Sequence, residues 1–578
     1  VWRSSPRASL ALGALTVVAA LLPLAIAYVG KTIVDAVVAG SEAEALRWVL
    51  VELALVAAQT LAQRALGLVR GLLGARLALD INSLILEKAL TLELSHFEDP
   101  ELYDKLTRAR REASSRPLSV VTETFQIVQN AITLAGYAVL LLELGVLAVV
   151  GLAVAAIPAT IVEMKFSTAA FRIRNWRSPD TRRMSYLEYV LANDDHAKEV
   201  KLLGLGPLLL GRYRAFGESF YTEDRRLAIR RAFWAFLLSL LALGVFYGAY
   251  ATMALGAARG ALTLGAMVLY VAAFRQGQQA FQSILTAVGG MYEDNLYMSN
   301  LFAYLAFDPR PKVPEAPQDV ASEPTRKELG IRFEGVGFRY PGRDAWALRG
   351  IDLFIPAGQS LALVGHNGAG KTTFIKLLTR LYEPSEGRIL LDGKDLRAWE
   401  HETLRARVGV VFQDFNQYQL SLRENVGLGS VEHREDEERV GRAVDRGGAT
   451  DVVASMKGGL GAQLGRWFKE GVELSGGQWQ KIALARAFMR EEADILVLDE
   501  PTAALDAEAE HAVFERFRAL AEGRTTILIS HRFPTVRMAD RIVVIEGGRL
   551  LEEGTHASLV AQGGRYAELF SLQAKGYL

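Results

Sequence analysis

No cysteine occurs among the 578 residues. Disulfides, thiol catalysis and Cys-ligated zinc are therefore excluded. Net charge is missing too: 65 Lys and Arg balance 65 Asp and Glu. A global basic footprint for nucleic acid is absent, so nucleic acid is not an expected partner. No cleavable signal peptide is evident at the start of the sequence. What is plentiful is apolar, at 51% of the chain. That average hides two halves. Residues 1 to about 307 hold apolar runs of membrane-spanning length, and the remainder reads as an α/β domain.

Six spans can be drawn in the first half: about Leu10–Val29, Leu46–Val69, Phe125–Leu142, Val146–Phe166, Ala232–Leu255 and Leu262–Val288. About 20 apolar residues match the thickness of a bilayer's hydrocarbon core. The alternative for each run is a buried core helix, but six such runs favour a membrane. Lys and Arg concentrate before the first span and in the long segments 70–123 and 165–231. The connections near 30–45, 143–145 and 256–261 are short and poor in Lys and Arg, with Lys31 and Arg259 alone. Both termini are therefore expected in the cytoplasm. The long segments keep helical periodicity, as at Leu77, Ile81, Leu84 and Ile85. Turn signals fall at His96–Pro100 and Gly204–Pro207. These are either short helices that touch the second half or ordinary solvent-facing turns.

Polar residues recur on some spans at helical spacing. Glu52, Gln59 and Gln63 share one face, with Arg64 beside it; Arg275, Gln278, Gln279 and Gln282 do likewise; Gln126, Gln129, Asn130 and Thr133 cluster. Charge in hydrocarbon costs roughly 2.5–3.5 kcal/mol on insertion scales. These side chains are expected to line a wet path for substrate or to pair between helices.

Residues 308–327 contain Pro309, Pro311, Pro314, Pro317 and Pro324, which suits an exposed tether. The second half, 328–578, is organised around Gly365, His366, Asn367, Gly368, Ala369, Gly370, Lys371, Thr372 and Thr373. An apolar run, Ser360–Val364, precedes this stretch and a helical pattern follows it. Strand, glycine loop, helix is the context of a phosphate-binding loop. Glycines let successive N–H groups turn toward phosphate oxygens, and the helix N-terminus adds partial positive charge. Lys371 is expected on the β- and γ-phosphates and Thr372 on Mg²⁺.

Further motifs follow in order. Tyr340, in Phe338-Arg339-Tyr340-Pro341 at the end of an expected strand, either stacks on adenine or sits in the core. Gln413 follows Val408–Phe412 and can ligate Mg²⁺ or sense a γ-phosphate. Ser475, Gly476, Gly477 and Gln478 open a helical pattern, suiting a second phosphate contact. The run Ile495–Leu498 ends in Asp499, expected to support Mg²⁺, and Glu500, expected to polarise the attacking water.

Together with Ala504-Leu505-Asp506 and Ser530-His531, this ordered set resembles the ATP-binding cassette (ABC) transporters, specifically half-transporter exporters. Essentially the whole chain is covered. The resemblance implies an all-α transmembrane domain of six long helices plus an α/β P-loop NTPase domain. It implies ATP and Mg²⁺ as cofactors and a dimer, a homodimer first and a heterodimer as the alternative. Two cassettes would sandwich two ATP molecules, with the Ser475 region serving the partner's nucleotide. It assigns Tyr340 to adenine, Gln413 to Mg²⁺ and coupling, Asp506 to the dimer interface and His531 to the γ-phosphate. One departure stands out: Gly465-Arg466-Trp467-Phe468-Lys469-Glu470-Gly471 carries an aromatic pair where many exporters have a polar run. The expected activity is ATP-driven export of an amphipathic small molecule, lipid or peptide across a prokaryotic plasma membrane. An importer or a non-transporting regulatory ATPase are the alternatives.

Overall fold

In hydrocarbon every backbone N–H and C=O must pair within its own segment, and a helix does this. The first half of the chain is accordingly helical. The computed structural model describes residues 2, 4–99, 102, 106, 116–143, 146–308, 329–500, 523–530 and 533–576. The chain divides into two units, one of residues 1–92 and 100–308, the other of residues 93–99 and 309–578. The proline-rich segment expected to be a tether lies almost wholly outside the described residues.

In the first unit the long helices are α1 (Pro6–Val38), α2 (Glu42–Leu90), α4 (Arg116–Leu142), α5 (Val146–Trp176), α8 (Gly206–Ala258) and α9 (Leu264–Ala306). Helix α3 belongs to the second unit and is described there. Ser5 caps α1 by accepting from the Ala8 N–H, with Pro6 in the first turn, where it displaces no hydrogen bond. Thr263 caps α9 in the same manner. Helices α1, α2, α4 and α8 are long and apolar enough to cross a membrane. Helix α9 is 43 residues long, and its Arg275–Gln282 stripe dilutes its apolar character. Helix α2 has 49 residues and α8 has 53. At 1.5 Å per residue each reaches more than ~70 Å, over twice the ~30 Å hydrocarbon core. Each span thus continues as helix well past the membrane. The shorter helices α6 (Ser178–Ala192) and α7 (Asp194–Leu202) precede a turn in which Gly204 takes φ +62°. The turn expected at Gly204–Pro207 therefore exists, and it belongs to the first unit. Helix α9 packs on α4, α1 on α2, and α5 on α8. Tyr137, Leu141, Met253, Tyr270 and Phe274 form one buried cluster between them.

Among the described residues the second unit holds two sheets. One has the order β2-β1-β4-β5, from β1 (Gly330–Phe338), β2 (Leu348–Pro356), β4 (Glu386–Leu391) and β5 (Lys394–Asp395), all antiparallel. The other has the order β10-β9-β3-β8-β7-β6, from β3 (Ser360–Val364), β6 (Val408–Val411), β7 (Ile495–Asp499), β8 (Thr525–Ile529), β9 (Arg541–Glu546) and β10 (Arg549–Gly554). Strands β9, β3, β8, β7 and β6 run parallel. Parallel strands need cover on both faces, which explains the unbroken apolar runs in β3, β7 and β8. Helix α10 (Lys371–Leu378) follows β3, and its Phe374 stacks on Phe333 of β1 with ring centroids 4.2 Å apart. One core thus joins the two sheets through Phe333, Ile351, Leu363, Phe374, Val497 and Ile545. Short helix α3 (Leu94–Glu98) also belongs to this unit, with Leu94 packed against that core. Of the turn expected at His96–Pro100, residues 96–98 thus lie in a helix that packs on this core, and Pro100 lies outside the described residues.

Candidate nucleotide-binding site

In a parallel sheet, ligands bind beyond the carboxyl ends of the strands. Strands β3, β6 and β7 end on the same edge, so the residues following them converge. They line a cleft of about 990 Å³ that includes Tyr340, His366, Lys371, Gln413, Asp499 and Glu500.

The glycine loop is tied down by backbone geometry. A Cβ on Gly365 would lie 2.2 Å from the Ile545 carbonyl oxygen. Gly370 takes φ +110°, and a Cβ there would lie 2.7 Å from the Ala347 oxygen. Neither position admits a side chain without moving backbone. Lys371 opens α10, is 7% exposed, and donates from Nζ to the carbonyl oxygens of Gly365 and His366 at 2.8 and 3.0 Å. Burial pushes its ammonium below the ordinary lysine range, opposed by the charges of Glu500 and Asp499. A buried cation ringed by loop backbone suits a polyphosphate, whose charge would replace what burial withholds.

Next to it, the Thr372 hydroxyl donates to Asp499 Oδ2 at 3.1 Å. Burial pushes the Asp499 carboxyl up to about 6; the Thr372 hydrogen bond works against this and the Glu500 charge adds to it. The site is thus rich in hard oxygen donors and short of positive charge. Thr372, Asp499 and the neighbouring Gln413 amide fit the donor preferences of Mg²⁺. Gln413 donates from Nε2 to Glu500 Oε2 at 3.0 Å. Glu500 itself sits at φ +48°, a left-handed conformation that a residue with a Cβ adopts at a cost of about 1–2 kcal/mol. Its N–H donates to the Ile529 oxygen at 3.0 Å, which holds it there. The fold therefore turns this carboxylate out of the β7 line and into the cleft.

Tyr340 lines the cleft and is tied by its hydroxyl to Thr373 Oγ1 at 3.0 Å. His366 also lines it and meets Arg565 of the C-terminal helix Arg565–Gly576. Ser475 is the N-cap of the helix Gly476–Phe488. Its hydroxyl accepts from the Gln478 N–H, and its own N–H donates to Gln478 Oε1 at 2.9 Å. Ser475 and Gly476 are exposed, and neither they nor Gly477 or Gln478 line the cleft. Asp506 and His531 lie outside the described residues.

Sequence reasoning missed Arg486. It lies on the same helix as Gln478 and donates to Asn425 O at 2.9 Å, Asn425 Oδ1 at 3.1 Å and Asn416 O at 3.2 Å. It thereby joins the Ser475 helix to the segment that follows Gln413. An arginine in an otherwise apolar helical stretch was the signal for it.

The first unit has a cavity of about 590 Å³ between α5, α8 and α9. Arg275, Gln278 and Gln282 line it, with Phe246, Tyr247 and the ion pair Arg231–Glu163. The α9 stripe is thus partly gathered at one cavity. Gln279, Glu52, Gln59 and Gln63 are not among its lining residues. Gln63 and Arg64 are exposed on α2, and Glu52 and Gln59 are half-buried. Thr133 instead donates to the Ala20 carbonyl oxygen at 2.9 Å, a contact between helices. Periodicity could not reveal Glu163 and Arg231, which are 68 residues apart.

Comparison with known proteins agrees with this geometry. A family profile described as "ABC transporter" matches residues 348–503. The subtilin transport ATP-binding protein SpaT of Bacillus subtilis is 32% identical over 481 residues, spanning 83% of this chain and 77% of that protein. The nisin transport ATP-binding protein NisT of Lactococcus lactis is 27% identical, spanning 99% and 94%. The ATP-dependent lipid A-core flippase of Thiobacillus denitrificans is 41% identical, spanning 50% and 48%. Among solved structures, a bacterial Atm1-family ABC exporter with ATP bound matches 99% of both chains, with a TM-score of 0.81 and 26% identity.

Proposed function

This chain belongs to the ATP-binding cassette transporters and is an ATPase coupled to export, and from that premise we propose how it works and on what. Two copies clasp two ATP molecules between their cassettes, and the clasp switches a membrane cavity from inward to outward access. The carrying observation is the convergence of Lys371, Thr372, Gln413, Asp499 and Glu500 on one cleft.

In this reading Lys371 and the loop from Gly365 to Thr373 hold the phosphates. Thr372, Asp499 and Gln413 hold Mg²⁺, which supplies Lewis-acid polarisation of phosphate oxygens when bound. Glu500 takes a proton from the attacking water, and Gln413 keeps its carboxylate aimed at the cleft. Tyr340 stacks on adenine. Ser475 to Gln478 contact the nucleotide of the partner copy; the exposure of Ser475 and Gly476, and the place of all four outside this chain's own cleft, support that role. Asp506 lies at the dimer interface and His531 contacts the γ-phosphate. A homodimer contains two such complete sites.

The substrate is an amphipathic small molecule, lipid or peptide, and Arg275, Gln278 and Gln282 face it on its path. Glu52, Gln59, Gln63 and Gln279 lie elsewhere along that path. Relatives named for subtilin, nisin and lipid A transport support this breadth. Both termini, and the cassette, lie in the cytoplasm, with the spans in a prokaryotic plasma membrane. ATP can shift the access equilibrium only through contacts that differ between the two states, and the two-copy clasp supplies them.

The test is ATP-dependent uptake of a panel of fluorescent amphipaths into inside-out vesicles carrying the chain. Export appears as accumulation of at least one member. Efflux from preloaded vesicles marks an importer, and ATP turnover with no movement of any member marks a regulatory ATPase.

A further inference from the structure

Helix α3 bears one acidic side chain on two residues of the cassette. Glu98 Oε2 accepts from the Tyr382 hydroxyl at 2.5 Å, and Glu98 Oε1 pairs with Lys376 Nζ at 3.3 Å. Both partners then meet Tyr340. Lys376 Nζ lies 5.3 Å from the centre of the Tyr340 ring and 5.5 Å from that of Tyr382. The Tyr340 and Tyr382 rings meet edge to face with centroids 5.4 Å apart. Tyr340 is fixed at its far end by Thr373, in the first turn of α10 where the phosphate-binding loop ends.

We infer that Glu98 is a positioning residue for the nucleobase: through Lys376 and Tyr382 it sets the pose of Tyr340, and so tunes affinity for adenine. This rests on the reading of Tyr340 as the adenine platform. A cation over an aromatic face is attracted to it, most strongly when the cation cannot wander. Lys376 is long and flexible, and its side chain is only 22% exposed; the Glu98 carboxylate is the anion that fixes where its charge sits. Tyr382 is 6% exposed and its hydroxyl needs a partner, which the same carboxylate supplies. Burial, with the Glu98 hydrogen bond adding to it, holds that hydroxyl well above the ordinary tyrosine range, so it remains a donor.

The arrangement has a direction. Helix α3 follows α2 after residues 91–93 only. Any displacement of α3 moves Glu98, hence Lys376 and Tyr382, hence the Tyr340 ring. Linkage requires the converse: a base seated on Tyr340 biases the position of α3. The nucleobase, and not only the triphosphate, then contributes to coupling.

The experiment measures affinities on the full chain in lipid nanodiscs, by displacement of a fluorescent ATP analogue. The displacers are ATP and ribose 5-triphosphate, which keeps the phosphates and lacks the base. Glu98→Ala should weaken ATP by roughly three- to ten-fold, the range of a half-exposed charge-assisted hydrogen bond, and should leave ribose 5-triphosphate within about two-fold. Glu98→Gln, which keeps an acceptor for Tyr382 and loses the charge facing Lys376, should fall between. In a Tyr340→Leu background, Glu98→Ala should change ATP affinity no further. Equal weakening of both displacers, no weakening of either, or multiplying effects of Glu98→Ala and Tyr340→Leu overturns the inference. Tyr340→Leu with unchanged ATP affinity overturns instead the platform reading beneath it.

Discussion

Replacing Glu500 by Gln tests the chemistry most sharply, because the structure separates what the change removes from what it keeps. Glutamine has the same shape, so the backbone at φ +48° and the N–H bond to Ile529 are undisturbed. Its Oε1 still accepts from Gln413, as the carboxylate does at 3.0 Å. What disappears is the base and one negative charge. Loss of a general base costs about 10²- to 10⁴-fold in turnover. Loss of the charge acts on binding in the opposite sense. Two unit charges 4 Å apart near a protein surface interact by about 4 kcal/mol, so even a fraction of that repulsion, relieved, favours a polyanion in the cleft. Asp499, now held up in part by its anionic neighbour, should fall back toward the ordinary carboxylate range. The variant is therefore expected to bind ATP at least as tightly as the parent while its steady-state phosphate release drops by 10²-fold or more. Titration with a fluorescent ATP analogue reads the first quantity and a coupled phosphate assay the second. Turnover at the parent rate would refute the choice of base. Loss of binding would refute the claim that Glu500 repels the nucleotide more than it organises the site.

Two further outcomes are expected. Gly365→Ala places a methyl 2.2 Å from the Ile545 carbonyl, where only backbone movement can make room; the cassette should lose about 1–3 kcal/mol and melt several degrees lower by thermal shift, and an unchanged melting temperature would mean the loop is looser than drawn. Chelation by EDTA should abolish hydrolysis and added Mg²⁺ should restore it, whereas hydrolysis persisting at the parent rate in EDTA would remove Thr372, Asp499 and Gln413 from the roles proposed for them.

The nucleotide cleft was largely legible because phosphate binding is a local problem. The residues from Gly365 to Thr372 must be contiguous for their backbone to wrap one anion, and strand ends such as Asp499-Glu500 declare themselves by an apolar run that stops in charge. The long helices were legible for a similar reason, since crossing hydrocarbon demands an unbroken apolar stretch. Contacts between distant segments left no such trace. Glu98 and Tyr382 stand 284 residues apart, and nothing in the spacing of either points to the other. Glu163 pairs with Arg231 across two helices whose polar residues look incidental in isolation. The α9 stripe shows the same limit from the other side: periodicity put Arg275, Gln278, Gln279 and Gln282 on one face, yet only three of the four line the cavity. A helical face spans more than one neighbour, so shared phase does not settle shared surroundings. The aromatic pair in the segment from Gly465 is exposed, with Trp467 at 81% and Phe468 at 54%. Their loop is nonetheless pinned, since the Trp467 N–H donates to Gln419 and the Gly465 N–H to Val472.

The central claim is that one copy's Ser475 reaches the other copy's phosphate-binding loop. A chain without cysteine makes that directly measurable. In the Glu500→Gln background, expected to hold ATP without turning it over, the pair Ser475→Cys and Asn367→Cys is introduced and oxidised mildly with and without Mg·ATP. The account predicts a disulfide between two chains that forms in ATP and fades without it, seen as a dimer on a non-reducing gel. It is contradicted if the double-cysteine chain remains monomeric under every nucleotide condition while its Glu500-containing counterpart hydrolyses ATP at the full parent rate as a single copy.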